Sequence, residues 1–262
     1  SEIVHKKSSD LGITWSKVDR LVWTSGLSLY PSVVCDSSGL IHLVWEERIG
    51  GAGEILYKKS ADGGSTWSAS TRLTYSPGEA GSPSLTVDTS DNLHLVWIDT
   101  KSGNPEIIYK HSTSGGSSWS APKQLVWNTG DSLNPFMASS SGSKIILAWE
   151  DNTFGNSEIF TLNSTNNGIS WEPRKRETWN SGLSKRPFYV FSDANSYLLW
   201  QDNTSGNNEI FLRESISPYK TRVTWNSGDS IGPKAASDPD GTVYLIWIDD
   251  LDGNYELYFK KR

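Results

Sequence analysis

The sequence predicts an all-β chain made of repeated four-stranded sheets, a β-propeller, and three observations lead there. A nine-residue stretch, WNSGDSIGP at 225–233, has near-copies in WTSGLSLYP (23–31), YSPGEAGSP (75–83), WNTGDSLNP (127–135) and WNSGLSKRP (179–187). The copies start 52, 52, 52 and 46 residues apart, a period suited to units of one four-stranded sheet each. The composition, 35% hydrophobic with 13 Trp and 23 Gly, fits many short strands joined by Gly-, Ser- and Asn-rich turns. No 11-residue window carries a sustained helical apolar stripe. At 262 residues the array is expected to form a single domain, 1–262, with a partial repeat at its start.

Each unit reads as four strands. An inner strand follows the Pro of the nine-residue motif, as in PSLTVD from Pro83, where proline is tolerated because no ladder N–H is demanded at a first strand position. A polar turn leads to a second strand ending in Trp, at Trp45, Trp97, Trp149, Trp200 and Trp247. After a loop, a third strand begins at Glu54, Glu106, Glu158, Glu209 or Glu256, and an outer strand such as Lys123–Trp127 completes the unit. The chain opens on a third and an outer strand, runs through four whole units and finishes on inner, second and third strands. Five blades are therefore expected, with the N-terminal outer strand closing the last one; the alternative is a truncated six-bladed parent. Either way residues 2–7 and 256–261 compete for one place, which leaves a surplus strand as an edge for self-association.

Between third and outer strands lies a second repeat: SSDLGITW (8–15), SADGGSTW (60–67), STSGGSSW (112–119) and STNNGISW (164–171). It resembles the Asp-box, or bacterial neuraminidase repeat, of the sialidase-like β-propellers. A short acidic or amide side chain accepts N–H bonds inside such a turn, Gly takes the positive-φ position and Trp pins the hairpin to its blade. This assigns structural roles to Asp10, Gly12 and Trp15, to Asp62, Gly64 and Trp67, to Gly116 and Trp119, and to Gly168 and Trp171. Ser114 and Asn166 replace the Asp, and the fifth box, after Ser215, has lost both Gly and Trp. All 13 tryptophans fall into three classes, four in boxes, five ending second strands and four opening nine-residue motifs. Such regularity points to packing rather than to a cofactor.

A net charge of −6 argues against nucleic acid, which needs clustered Lys and Arg. The longest apolar runs are far too short to span a membrane. A lone Cys35 excludes an intramolecular disulfide and a thiolate metal site. His5, His42, His94 and His111 sit at non-ligating spacings, and Asp249–Glu256 lacks the full spacing of a calcium loop and reads as a tight turn. No metal or cofactor is expected. Secretion or cell-surface display is the expected localisation, although the chain shows no signal peptide.

In an up-and-down blade the second-to-third loops and the nine-residue motifs share one face. The motif then reads either as a plain junction device or as a repeated ligand site between blades. In the second reading a Trp face beside Asn and Asp suits a sugar, with Trp23, Trp127, Asn128, Trp179, Asn180, Trp225 and Asn226 facing Asp99, Asp151, Asp202 and Asp250. Several weak sites would add through avidity. The junction at Tyr75 lacks the Trp–Asn pair and is expected to bind least. The resemblance implies glycoside hydrolysis as the rival. Sialidases, however, use three arginines and an Arg-Ile-Pro motif; the motif is absent, and of nine arginines only Arg48 and Arg186 fall on this face. The sequence thus favours a non-catalytic binder of glycans or a protein surface. A degenerate sialidase-like hydrolase and a structural scaffold of a larger secreted protein stand as alternatives.

Overall fold

The computed structural model describes every residue except 193, 194 and 239. The chain is all-β, made of antiparallel sheets in strict sequence order, and its contacts divide it into two compact units, Ser1–Val126 and Trp127–Arg262.

The first unit opens with a short pair, β1 (Val4–His5) and β2 (Asp19–Arg20). Two four-stranded sheets follow: β3 (Leu27–Cys35), β4 (Ile41–Ile49), β5 (Ala52–Ser60) and β6 (Thr71–Arg72), then β7 (Ala80–Val87), β8 (Leu93–Asp99), β9 (Glu106–Ser112) and β10 (Lys123–Gln124). The second unit holds β11 (Ser132–Ser139), β12 (Ile145–Asp151), β13 (Glu158–Ser164) and β14 (Lys175–Arg176), then β15 (Ser184–Phe191), β16 (Ser196–Asp202), β17 (Glu209–Glu214) and β18 (Lys220–Arg222). It ends on a three-stranded sheet of β19 (Ser230–Ser237), β20 (Val243–Asp249) and β21 (Glu256–Lys261). Among the described residues no helix is long and apolar enough to cross a membrane.

The strand assignment from sequence holds throughout, but the expected closure does not. Instead of completing the last sheet, β2 pairs with β1, with Val4 opposite Arg20, and β21 has β20 as its sheet neighbour. The reason is local: a tight turn at residues 8–15 joins these two segments, and Ser16 N–H donates to Lys7 O while Leu21 N–H donates to Ile3 O. A short hairpin loses little loop-closure entropy, so the nearest partner wins.

The second strands β4, β8, β12 and β16 are buried on both faces, which is why they read as continuous apolar runs, whereas β20 alternates, with Ile246 and Ile248 exposed. Their tryptophans, led by Trp45, Trp97, Trp149 and Trp200, are the largest fully buried side chains. Each sheet packs on the next one within its unit: Val44, Ile55 and Tyr57 meet Leu93, Leu95 and Trp97 in the first. In the second, Leu199, Ile210 and Leu212 meet Val243, Leu245 and Trp247.

The repeated Ser–Gly–Trp turns form one-turn locks. Asp10 Oδ1 accepts Thr14 N–H at 2.9 Å and Oδ2 accepts Thr14 Oγ1 at 2.6 Å, while Ser8 Oγ accepts Gly12 N–H at 2.8 Å. Asp62 repeats the pattern on Thr66. Ser114 and Asn166 reproduce its core, each accepting one N–H at 2.9 Å, from Ser118 and Ser170. Hydrogen bonds from Thr14 hold the Asp10 carboxyl down at about 2. Gly116 is forced by more than its φ of +73°, because any Cβ there would strike the Tyr57 hydroxyl.

That hydroxyl belongs to a buried chain seen twice in the first unit. His42 lies between Tyr57 Oη (2.8 Å) and Asp36 (3.3 Å), and His94 between Tyr109 Oη (2.8 Å) and Asp88 (3.1 Å). Burial pushes both imidazoles below their ordinary value, against the pull of the aspartates. The unfolded chain therefore takes up these protons more readily, so the stability they contribute is present above about pH 6.5 and is lost as pH falls below it. The urea midpoint should drop between pH 8 and pH 5, and His94→Gln should flatten that dependence; an unchanged slope would show that the imidazole is not the titrating group.

Candidate functional site

The nine-residue motif makes a related construction at each junction, beginning with its aromatic. Trp23, Tyr75, Trp127, Trp179 and Trp225 are 66–77% exposed, unusual for side chains of this size, yet they are firmly mounted. Three residues earlier, Arg20, Arg72, Arg176 and Arg222 each donate Nε–H to the carbonyl two residues on, at 2.7–2.8 Å. Each also forms an ion pair with the Glu at or just before the start of the third strand: Glu2, Glu54, Glu158 and Glu209. The guanidinium plane so held lies against the aromatic, 4.3 Å from the ring centroid at Trp23 and Trp225, 4.6 Å at Tyr75 and 5.7 Å at Trp179. Gln124 replaces the Arg before Trp127 and caps the Val126 carbonyl at 2.9 Å without a cation.

The next residue turns inward. Asn128, Asn180 and Asn226 donate Nδ2–H to Asp151 (2.6 Å), Asp202 (2.6 Å) and Asp249 (2.8 Å). The Ser four residues later and the indole of the second-strand Trp converge on the same oxygen. For Asp202 they are Ser184 at 2.9 Å and Trp200 at 3.3 Å; for Asp249 they are Ser230 at 2.6 Å and Trp247 at 3.3 Å. At the first junction Glu47 does this work for Thr24, Ser28 and Trp45. Burial would raise the Asp202 and Asp249 carboxyls, but hydrogen bonds, from Thr204 and Ser230 foremost, outweigh it and hold both below the ordinary range.

The Gly of the motif has no choice. Its missing Cβ leaves room for the loop from second to third strand, whose Thr204 N would stand 2.7 Å from a Cβ on Gly182 and Leu251 N 2.6 Å from one on Gly228. Immediately before the Pro the chain enters the left-handed region, at Tyr30, Ser82, Asn134, Arg186 and Gly232 (φ 48–62°). The inner strand slips register there in every sheet. This bulge aims a backbone N–H at the residue after the preceding sheet's Trp: Ser82 to Glu46 (2.9 Å), Arg186 to Glu150 (2.6 Å) and Gly232 to Gln201 (3.0 Å).

The structure thus separates the sequence-selected residues into two groups. The aromatics stand open, whereas Asn128, Asn180, Asn226, Asp151 and Asp202 are committed to one another behind them. Asp250 belongs elsewhere: it accepts Asp229 N–H, and the neighbouring Asp249 fills the place of Asp151 and Asp202. Counting two residues on from each Trp would have found it. Sequence reading also missed the arginine mounts, although the three-residue spacing from Arg to aromatic is visible in four copies.

Two clefts border these aromatics. One of about 560 Å³ in the second unit is lined by Trp179, Tyr189, Glu177, Arg213 and Lys175, beside the segment where the fifth box is missing. Another of about 510 Å³ in the first unit is lined by Tyr75, Trp97, Asp99 and Lys110.

No protein-family model matches the chain, and no curated protein sequence matches it. Solved structures with the same fold do. An α-L-arabinanase of Penicillium chrysogenum, complexed with arabinobiose, is 15% identical over 88% of this chain and 80% of its own, with a TM-score of 0.65. An α-L-arabinofuranosidase of Fusarium graminearum from glycoside hydrolase family 93 is 16% identical over 89% and 80%, at 0.63. An endo-arabinase of Bacteroides thetaiotaomicron is 16% identical over 90% and 94%, at 0.60. Likeness at this level of identity establishes the propeller fold.

Removing a hub carboxylate strands several buried donors at once. Asp202→Ala should therefore destabilise the protein by about 3 kcal/mol, whereas Trp225→Ala, at an exposed site, should cost less than about 1 kcal/mol. Urea unfolding distinguishes them, and equal losses would mean that the junction aromatic is a packing residue.

Proposed function

We propose that the protein is a glycan-binding propeller that uses its blade junctions and performs no chemistry. The observation that carries this reading is the pairing of open, arginine-backed aromatics with saturated carboxylates behind them. A ring fixed on one face by a cation and bare on the other offers a flat apolar surface to the C–H face of a sugar, with no side-chain freedom left to lose on binding. The clefts beside Trp179 and Tyr75 add hydroxyls, amides and cations within reach of such a ring. The carbohydrate-active neighbours agree with a glycan ligand, two of them being complexed with arabinobiose. The box pattern supports kinship with sialidase-like propellers, and secretion or surface display suits such a ligand.

One observation favours the hydrolase alternative. Burial raises the Glu150 carboxyl, the shift expected of a general acid, and the arabinan-cleaving neighbours share the fold. Against it, Glu150 Oε1 already accepts Arg186 N–H and Asn134 Nδ2–H, at 2.6 and 2.7 Å. Glycoside hydrolysis also requires a second carboxylate about 5–10 Å away, and the junction carboxylates of this unit are occupied as hubs.

A glycan array carrying arabino-oligosaccharides and sialosides should show saturable binding, weakened roughly 3- to 10-fold by Trp179→Ala or Trp225→Ala. Chromogenic arabinosides and sialosides should show no turnover. Turnover abolished by Glu150→Gln would establish the hydrolase instead, and an array blank for every glycan would leave the junctions as architecture.

A further inference from the structure

The second junction departs from the other four. Ser76 stands where Asn stands in three copies, and Ala80 stands where all four others have Ser. Asp99 consequently receives Ser76 Oγ at 2.8 Å and Lys101 N–H at 2.9 Å, both on Oδ1, and Oδ2 lacks the donors that converge on its counterparts. Trp97, 2% exposed, is the one second-strand tryptophan among the five whose buried indole N–H has no acceptor. The Trp97 indole N–H, which elsewhere in the repeat is met by the carboxylate two residues on, is thus left buried and unmet, at a substantial free-energy cost. Trp97 and Asp99 both line the cleft of about 510 Å³, a volume within the usual range for small-ligand sites.

Resting on the glycan reading above, we propose that this cleft is the protein's selective pocket and that it takes one neutral glycosyl residue by a hydroxyl group. A hydroxyl is suited to the vacancy because it donates and accepts at once: it gives its proton to Asp99 Oδ2 and receives the Trp97 N–H, replacing the missing Asn and Ser. The apolar walls of Pro77, Ile108 and Pro122 face the sugar's C–H surface. The Tyr75 ring, backed by Arg72, forms the lip. The Asp99 carboxylate disfavours an acidic sugar on charge grounds, and Lys110 is held to the Leu73 carbonyl at 2.6 Å rather than offered to a ligand. The junction that sequence reading ranks weakest becomes the one built to discriminate, while its four counterparts supply generic stacking.

The repeat itself provides a variant that should fold. Ser76→Asn with Ala80→Ser copies the network of the other junctions and returns its donors to Asp99. Full-length wild type, this double variant and Trp225→Ala would be compared on an array of neutral and acidic oligosaccharides. The strongest neutral ligand would then be titrated calorimetrically. The double variant should lose at least 10-fold in affinity while keeping or raising its thermal midpoint. The indole N–H resonance that Trp97→Phe deletes should move when wild type is titrated with the same sugar. Undiminished binding by the double variant, with loss in Trp225→Ala, would overturn the pocket and keep the junction reading. Absence of binding by wild type to every glycan would overturn both.

Discussion

The repeated sheet depends on how a carboxylate is kept charged in a dry interior. At all five junctions the second strand ends with Trp, one intervening residue, and a buried Asp or Glu. An unpaired charge in that position would cost several kcal/mol. Indole, hydroxyl and, where Asn is present, amide donors remove that cost, and because they come from the second strand and from the nine-residue motif they also tie these two segments together. The nine-residue motif is the sequence imprint of this requirement: its Asn and Ser are the donors, its Gly admits the facing loop, and its Pro ends the turn after a residue already committed to positive φ.

Much of this was legible in the sequence because the interactions are local and repeated. Period, strand order, the box turns and the three tryptophan classes all follow from residues close together in the chain. What escaped had one of two causes. The last hub, Asp249, went unselected beside Asp250, which the sequence offers as a ligand-facing residue, because both are acidic and register cannot be read from identity alone. The pairing of β2 with β1 instead of the last sheet was a choice between a near partner and a distant one, which strand patterns do not rank. The face of the junction was recognised, but not its division of labour, in which the amides and carboxylates serve the interior and the aromatics serve the solvent. That division depends on side-chain direction, and only coordinates supply it.

The same logic bears on the Tyr75 junction, which the sequence ranks weakest. By residue type it looks like a worn copy, with Ser for Asn, Ala for Ser and Tyr for Trp. In three dimensions Asp99 takes both of its hydrogen bonds on Oδ1, and the buried Trp97 indole N–H has no acceptor. Natural sheets tolerate such unmet groups where something else meets them.

Each hub network closes within 23 residues of chain. Damage or novelty at one junction is therefore contained there, and neighbouring blades need no compensating change. A gene encoding such an array can duplicate a unit, let one copy drift towards a new partner and keep the others as ballast. The second junction, with its Ser76 and Ala80, is what an early step of that process would leave behind.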